Sequence, residues 1–219
     1  MKIMLTISYD GTAYSGWQIQ PSCDTIQEQI EKAVFSVTGE KVRVTGSGRT
    51  DSGVHARGQV AHFSVQKESI PAERYAKALN AYLPSDIKVL SSQEATDSFD
   101  ACRTAKKKTY KYSCYIYPTE LPLKERYAVR LDKGLDIEKI KEGAKLFIGT
   151  HDFKGFCSTG SSIKTTKRTI YALDVDFDGL DLTFSITGNG FLYNMVRIIV
   201  GTLIKLGENK RLEDLRCKR

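Results

Sequence analysis

The 219-residue chain contains no Cys-x-x-Cys pair. Its five cysteines, Cys23, Cys102, Cys114, Cys157 and Cys217, are odd in number and widely spaced, which excludes a disulfide framework and a zinc module and fits a reducing compartment. Histidine is scarce too: His55, His62 and His151 share no i,i+4 or paired spacing, so no metal site is expected. Long apolar runs are missing. The uncharged window from Leu182 to Val196 contains Asn189 and Asn194 and stops at Arg197, too short and too polar for a span of about 20 apolar residues, so no membrane protein is expected. Met1 to Gly11 alternates in polarity and shows no apolar run behind a positive start, so no signal peptide is expected and the cytoplasm is the expected location. Acid is not in surplus either. Lys and Arg number 33 against 26 Asp and Glu, a net charge of +7, which favours a polyanionic partner without naming one. With 41% hydrophobic and 27% charged residues, disordered, collagenous and coiled-coil chains are excluded as well.

What is present is patterned. Ile3, Leu5, Ile7 and Tyr9 recur at period two, the mark of a half-buried strand, before Asp10-Gly11 breaks it. Thr25 and Glu28 form a capping-box pair ahead of Ile26, Ile30, Val34 and Val37, with Gly39 as the stop, which predicts a helix over 26–38. Val42 and Val44 open a second strand, Gly46 to Arg57 is a glycine-rich connection, and Val60 to Val65 resumes strand character. Pro71 starts a helix carrying Tyr75, Leu79 and Tyr82 that ends before Pro84, and Ile87 to Leu90 reads as a short strand.

The same grammar then begins again. Tyr110, Tyr112, Cys114 and Ile116 alternate with Lys111, Ser113 and Tyr115 in a strand, and Ile137, Ile140, Ala144 and Phe147 trace a helix face behind Asp136. After a polar loop from Thr150 to Thr166, the pattern Tyr171, Leu173, Val175, Phe177 turns at Asp178-Gly179 and returns as Leu180, Leu182, Phe184, Ile186, a hairpin. Leu192, Met195, Val196, Ile199, Leu203 and Leu206 form a broad apolar helix face. The expected class is α+β: two ferredoxin-like halves (strand-helix-strand-strand-helix-strand), residues 1–100 and 101–219, joined in one extended antiparallel sheet with helices on one side. The second half is expected to lack its last strand, leaving the final helix short of cover.

The densest unusual segment runs from Gly46 to Gly58, GSGRTDSGVHARG. Its four glycines allow close backbone approach, and Arg49, Asp51 and His55 offer charge within a few residues. A phosphate-binding P-loop needs Gly-Lys-Ser/Thr at its end, but Gly53 is followed by Val54 and His55. A dinucleotide fingerprint needs a third glycine where Asp51 stands, and a helix after it. Asp51-Ser52-Gly53 has no second Asp-Ser/Thr-Gly with which to share a proton. On residue types alone, a tight turn in which Asp51 caps backbone amides also accounts for the segment.

Gly48-Arg49-Thr50-Asp51-Ser52-Gly53-Val54-His55-Ala56 closely resembles the signature Gly-Arg-Thr-Asp-Ala/Ser-Gly-Val-His-Ala of the tRNA pseudouridine synthase A family. Further matching stretches follow in order: Tyr9-Asp10-Gly11-Thr12, Gly16-Trp17-Gln18, Thr109-Tyr110-Lys111-Tyr112, His151-Asp152-Phe153 and Phe191-Leu192-Tyr193-Asn194-Met195-Val196-Arg197. The resemblance covers essentially the whole chain, up to a tail, Leu212 to Arg219, unlike the helix and strand with which the family usually continues. The resemblance thus suggests a chain shortened at its C-terminus.

The resemblance implies an isomerase, a tRNA pseudouridine(38-40) synthase that converts uridine to pseudouridine in the anticodon arm of tRNA, without cofactor or metal, as a homodimer. It implies that Asp51 is the catalytic aspartate, acting at C1' or on a ribose proton. A carboxylate in a dry pocket protonates unless a cation is fixed beside it. Arg197, set in a nearly all-apolar helix, matches the family's arginine that pairs with the aspartate. Tyr110 matches the tyrosine that stacks on the target base. Arg49 is expected to fill the space of a flipped nucleotide or to hold its phosphate, and His55 and Arg57 are expected to face RNA. Basic clusters at Arg103, Lys106, Lys107 and Lys108, at Lys164, Lys167 and Arg168, and at Lys210, Arg211, Arg216, Lys218 and Arg219 are further candidates for phosphate contacts. Two rival readings are a truncated, inactive synthase that still binds RNA and a non-catalytic protein of two RNA-binding modules. The second would carry a Lys/Arg-Gly-Phe/Tyr-Gly/Ala-Phe run, and none is present.

Overall fold

The computed structural model describes residues 1–67, 70–132, 134–159 and 165–208. Two compact α+β units make up the chain, Met1–Ala105 and Lys106–Arg219.

In the first unit the strands β1 (Lys2–Tyr9), β2 (Thr45–Gly46), β3 (Ala56–Ser64) and β4 (Ile87–Ala95) form a sheet of order β2-β3-β1-β4, with helices α1 (Ile26–Thr38) and α2 (Tyr75–Asn80) between them in sequence. All its pairings are antiparallel, and the order is the ferredoxin-like one. The period-two reading of β1 holds: Ile3, Leu5, Ile7 and Tyr9 are buried and join Ile30 and Val34 of α1 and Leu79 of α2 in one core. A short 3-10 turn, Ala72–Arg74, leads into α2, and Tyr82 lies beyond that helix and is exposed.

Two local expectations are corrected. Thr25 stands at the N-cap of α1 but makes no side-chain capping bond, and Glu28 pairs with Lys32 at 2.9 Å. The first amides of the helix go to the backbone instead: Ile26 N–H donates to Gly16 O at 3.1 Å and Gln27 N–H to Trp17 O at 3.0 Å. A capping box is redundant when another segment already accepts the orphan donors. Val42 and Val44 do not form a strand. The Val44 amide donates to Glu31 Oε1 at 2.9 Å, and its carbonyl accepts from the buried Gln27 amide at 2.8 Å, so side chains of α1 take the groups that a ladder would have used. Only Thr45–Gly46 pairs with β3.

The second unit holds β5 (Lys108–Ile116), β6 (Val129–Leu131), α3 (Ile137–Lys145), β7 (Gly149–Asp152), β8 (Lys167–Phe177), β9 (Asp181–Gly188) and α4 (Met195–Gly207) in a sheet of order β6-β5-β9-β8-β7. Asp136 caps α3 by accepting the Lys139 amide at 3.0 Å, and Ile140, Ala144, Met195, Ile199 and Leu203 pack with Phe184 and Ile186 in the core. Strands β6 and β7 were not expected. β6 is three residues long and β7, Gly-Thr-His-Asp, has no apolar alternation, so backbone pairing alone makes them strands. Tyr171 was expected on the core face but is exposed. A bulge between Ile170 and Ala172 shifts the register, leaving Ile170 and Leu173 as the buried pair.

Strand pairing also corrects the sheet. Among the described residues the strands form two sheets, not one extended sheet, and β5 pairs with β6 in parallel. Periodicity identifies strands but carries no information on which edges meet. β6 lies on the edge of β5 opposite β9, the edge that β4 takes beside β1 in the first unit. The basic residues Lys164, Lys210, Arg211, Arg216, Lys218 and Arg219, the expected short end at Leu212 to Arg219, and Cys217 lie outside the described residues.

Candidate active site

The GSGRTDSGVHA segment joins β2 to β3, and its backbone is held from both sides. At its start, Ser47 N–H donates to Val60 O at 2.7 Å and Ser47 Oγ to Gln59 Oε1 at 2.9 Å, while the Gln59 amide donates to Gly48 O. Gly46 lies on the buried Trp17 ring, where an added Cβ would come within 2.7 Å of the indole. In its middle, Thr50 O accepts from Trp17 N–H at 3.0 Å, and Thr50 Oγ1 lies 2.8 Å from Tyr9 Oη. Gly16, with φ +90°, meets the same stretch so closely that a Cβ would stand 2.5 Å from Thr50 O. Beyond Asp51, Tyr14 O accepts from Ser52 Oγ at 3.2 Å and from Gly53 N–H at 3.3 Å, and Val54 N–H donates to Asp51 O at 3.1 Å. The loop is therefore shaped on residues 9–17.

Asp51 is exposed, in contrast to the dry pocket expected for it. The hydrogen bonds of the loop run from its backbone inward and leave the carboxylate on the outer side. Arg49 and Arg57 are exposed as well, and His55 is half-buried, with Nδ1 against the Asp10-Gly11-Thr12 turn. Asp86 anchors this region from the start of β4: its carbonyl accepts Asp10 N–H at 2.9 Å and its carboxylate accepts Tyr14 Oη–H at 2.7 Å. Burial, together with that carboxylate, pushes the Tyr14 hydroxyl well above its ordinary range.

In the second unit a different set of candidates gathers at one end of the sheet. Lys108 opens β5 opposite Gly188 at the end of β9, and Gly188 also pairs with Ile170 near the start of β8. Tyr110 is half-buried, and Phe191, in the turn after β9, meets its ring edge-on at 5.1 Å and 81°. Arg168 is held by Thr165 O at 2.9 Å and Lys167 O at 2.7 Å, and its guanidinium stem lies beside Gly190. Lys106, Lys107 and Lys167 are exposed. Helix α4 starts at this end, after Asn194 in the left-handed region (φ +59°), whose amide donates to Ser158 Oγ at 3.0 Å. Arg197 is exposed on α4, so the apolar helix does not bury a cation and the desolvation cost expected for it does not arise. Its charge reaches Tyr112: burial raises that phenol and the guanidinium opposes the rise. Farther into the core on the same strand face, burial pushes the Cys114 thiol up to about 12.

Asp51, Arg49, His55 and Arg57 thus belong to the first unit, and Tyr110, Arg197, Lys106, Lys107, Lys108, Lys167 and Arg168 to the second. Sequence reasoning assigned no role to Tyr9, Tyr14, Trp17 or Gln59, which hold the Asp51 loop, or to Phe191, which holds Tyr110. The available signal was the pair of short matching stretches near residues 9–12 and 16–18, but spacing alone does not tell a supporting residue from a reacting one. Among the described residues no group of three or more His, Cys, Asp or Glu side chains could hold a metal ion.

A model of the tRNA pseudouridine synthase family matches residues 5–103 and 144–215. The chain is 46% identical over 216 residues to tRNA pseudouridine synthase A of Bacillus subtilis, covering 98% of this chain and 87% of that protein. It is 45% identical over 212 residues to tRNA pseudouridine synthase A of a Thermoanaerobacter species, covering 97% and 86%, and 44% identical over 208 residues to tRNA pseudouridine synthase A 2 of Clostridium perfringens, covering 95% and 85%. The α+β fold carries the Gly-Arg-Thr-Asp loop between two strands, and the family it matches is one of isomerases. The chain belongs to the tRNA pseudouridine synthase family.

Proposed function

We propose that the chain isomerises uridine to pseudouridine at positions 38 to 40 in the anticodon arm of tRNA, with Asp51 as the catalytic carboxylate. The observation that carries this reading is the Asp51 loop itself: a backbone shaped on residues 9–17 presents one exposed carboxylate, in a chain 45% and 46% identical to two tRNA pseudouridine synthases A over 86% and 87% of their length. The reaction breaks the C1'–N1 bond, turns the uracil in place, forms the C1'–C5 bond and transfers the C5 proton so that N1 ends protonated. Atoms are conserved and no external reactant is needed. Asp51 acts on the ribose, as nucleophile at C1' or as base towards a ribose proton.

In this reading the bound RNA supplies the desolvation that Asp51 lacks in the free chain. Arg197 is the cation assigned to keep the carboxylate ionised, and Tyr110, braced by Phe191, stacks on the target base. Arg49, Arg57, Lys106, Lys107, Lys108, Lys167 and Arg168 provide contacts to the tRNA, mostly to phosphate. A cytoplasmic homodimer completes the reading, and light scattering on the purified chain tests the dimer. The deciding experiment is incubation with tRNA followed by mapping of pseudouridine. Pseudouridine at one or more of positions 38 to 40 is the expected result. Modification confined to other positions overturns the site assignment, and tRNA binding with no product supports an inactive RNA-binding chain instead.

A further inference from the structure

The middle of the Asp51 loop is secured by backbone bonds to Trp17 and Tyr14. Its outgoing end, Val54-His55-Ala56, enters β3 across a shift in the β1–β3 register between Ile7 and Tyr9, where ladder bonds are interrupted, and there Ser8 Oγ donates to Ala56 O at 3.0 Å. The His55 ring stands at this gap. Its Nδ1 lies 3.0 Å from Asp10 Oδ1 and accepts the Gly11 amide at 3.1 Å, and its side chain is about one-third exposed. The Asp10 carboxylate also accepts Thr12 N–H at 3.0 Å and the Thr12 hydroxyl, and Asp10 is tied through its own amide to Asp86 O. The turn that holds His55 is therefore rigid on its far side. Nδ1 serves the fold whichever partner it uses: as an acceptor it takes the Gly11 amide, and as a donor it bonds the Asp10 carboxylate.

We propose that His55 is a positioning residue for Asp51, clasping the outgoing end of the loop to the Asp10-Gly11 turn through Nδ1, and is not primarily an RNA contact. The proposal rests on the catalytic reading of Asp51 given above. Asp51 O accepts the Val54 amide, so a displacement of His55 passes through one residue into the turn that carries the carboxylate. A misplacement on the order of 1 Å in a reacting group costs up to about 100-fold in rate.

Three substitutions separate the two edges of the ring. His55→Ala removes both, His55→Asn retains an amide where Nδ1 was, and His55→Gln reaches the place of Nε2 but not that of Nδ1. The full chain and the three variants are assayed for kcat, KM and tRNA dissociation constant, and for amide hydrogen exchange at Gly53 and Val54. Expected for His55→Ala is a fall in kcat of about 10- to 100-fold, with KM and tRNA affinity within about twofold of wild type and faster exchange at both amides. His55→Asn recovers most of the kcat and of the protection, whereas His55→Gln recovers neither. An unchanged kcat and unchanged exchange in His55→Ala overturn the proposal. So does a loss confined to tRNA affinity that Gln repairs and Asn does not, which would place Nε2 on the RNA. Should the wild-type chain form no pseudouridine, it is the catalytic reading that fails. The exchange rates of the variants then still decide whether His55 holds the loop.

Discussion

Asp51 joins a fixed backbone to an exposed carboxylate, so changing the side chain leaves the fold unaffected. Asp51→Asn is expected to abolish pseudouridine formation while tRNA affinity and melting temperature stay near wild type, because phosphate contacts supply most of the affinity. Product formation by the purified variant at a measurable fraction of the wild-type rate would remove Asp51 from the chemistry. Tyr110 admits a finer division. Its ring leans on Phe191, so Tyr110→Phe keeps the stacking platform, whereas Tyr110→Ala loses about 1 to 3 kcal/mol of base stacking, read as a weaker dissociation constant by filter binding. Equal affinity and rate across wild type, Phe and Ala would place the ring away from the substrate. Arg197 is exposed on a helix, and leucine matches arginine in helix propensity. Arg197→Leu should therefore reduce turnover without lowering the melting temperature; turnover at the wild-type rate would leave Asp51 without need of this cation.

At the scale of elements, the decisive packing is between the loop and residues 9–17. Gly46→Ala drives a methyl group into the Trp17 ring, and overpacking of a rigid core costs about 1 to 3 kcal/mol, so both the denaturation midpoint and the rate should fall. A variant as stable and active as wild type would show that the ring can yield. A second element carries a pH response. His62 on β3 accepts the Ala101 amide at 3.2 Å and meets Phe99 edge-on, and burial holds it below its ordinary value of 6.5, with Asp100 acting to raise it and Lys2 to lower it. A depressed value means that the fold favours the neutral ring. The corresponding stability is fully present above 6.5 and is lost as pH falls through the lower folded-state value. Melting temperature should drop more steeply below 6.5 in wild type than in His62→Gln, which keeps an acceptor but does not titrate; parallel curves would exclude His62 as the titrating group. The elements also show how far the sequence could be read. Helix α1 and its stop at Gly39 follow from the apolar spacing and agree to the residue. The strand at Val42 to Val44 fails because Gln27 and Glu31, 17 and 13 residues away in sequence, capture the backbone of Val44, a competition that no local pattern encodes.

For the whole molecule, the excess of seven positive charges becomes a measurable slope. The logarithm of tRNA affinity should fall linearly with the logarithm of salt concentration, at about 0.7 per phosphate contact on single strands and about 0.9 on duplex. Replacing Lys106, Lys107 and Lys108 together by alanine should flatten that slope, and an unchanged slope would assign these lysines to a solvated surface. The sequence by itself determined the α+β class, the limits of α1 and the loop that carries Asp51. These depend on period, on turn residues and on a motif of adjacent positions, all of which are local. Only the tertiary structure decided that the strands pair as two sheets, that β6 lies in parallel beside β5, that a bulge turns Tyr171 outward, and that Tyr9, Tyr14, Trp17 and His55 form the support of the Asp51 loop. Edge choice, register and second partners are set by which surfaces meet when the chain closes on itself. That is a sum over residues far apart in sequence, to which local spacing is blind.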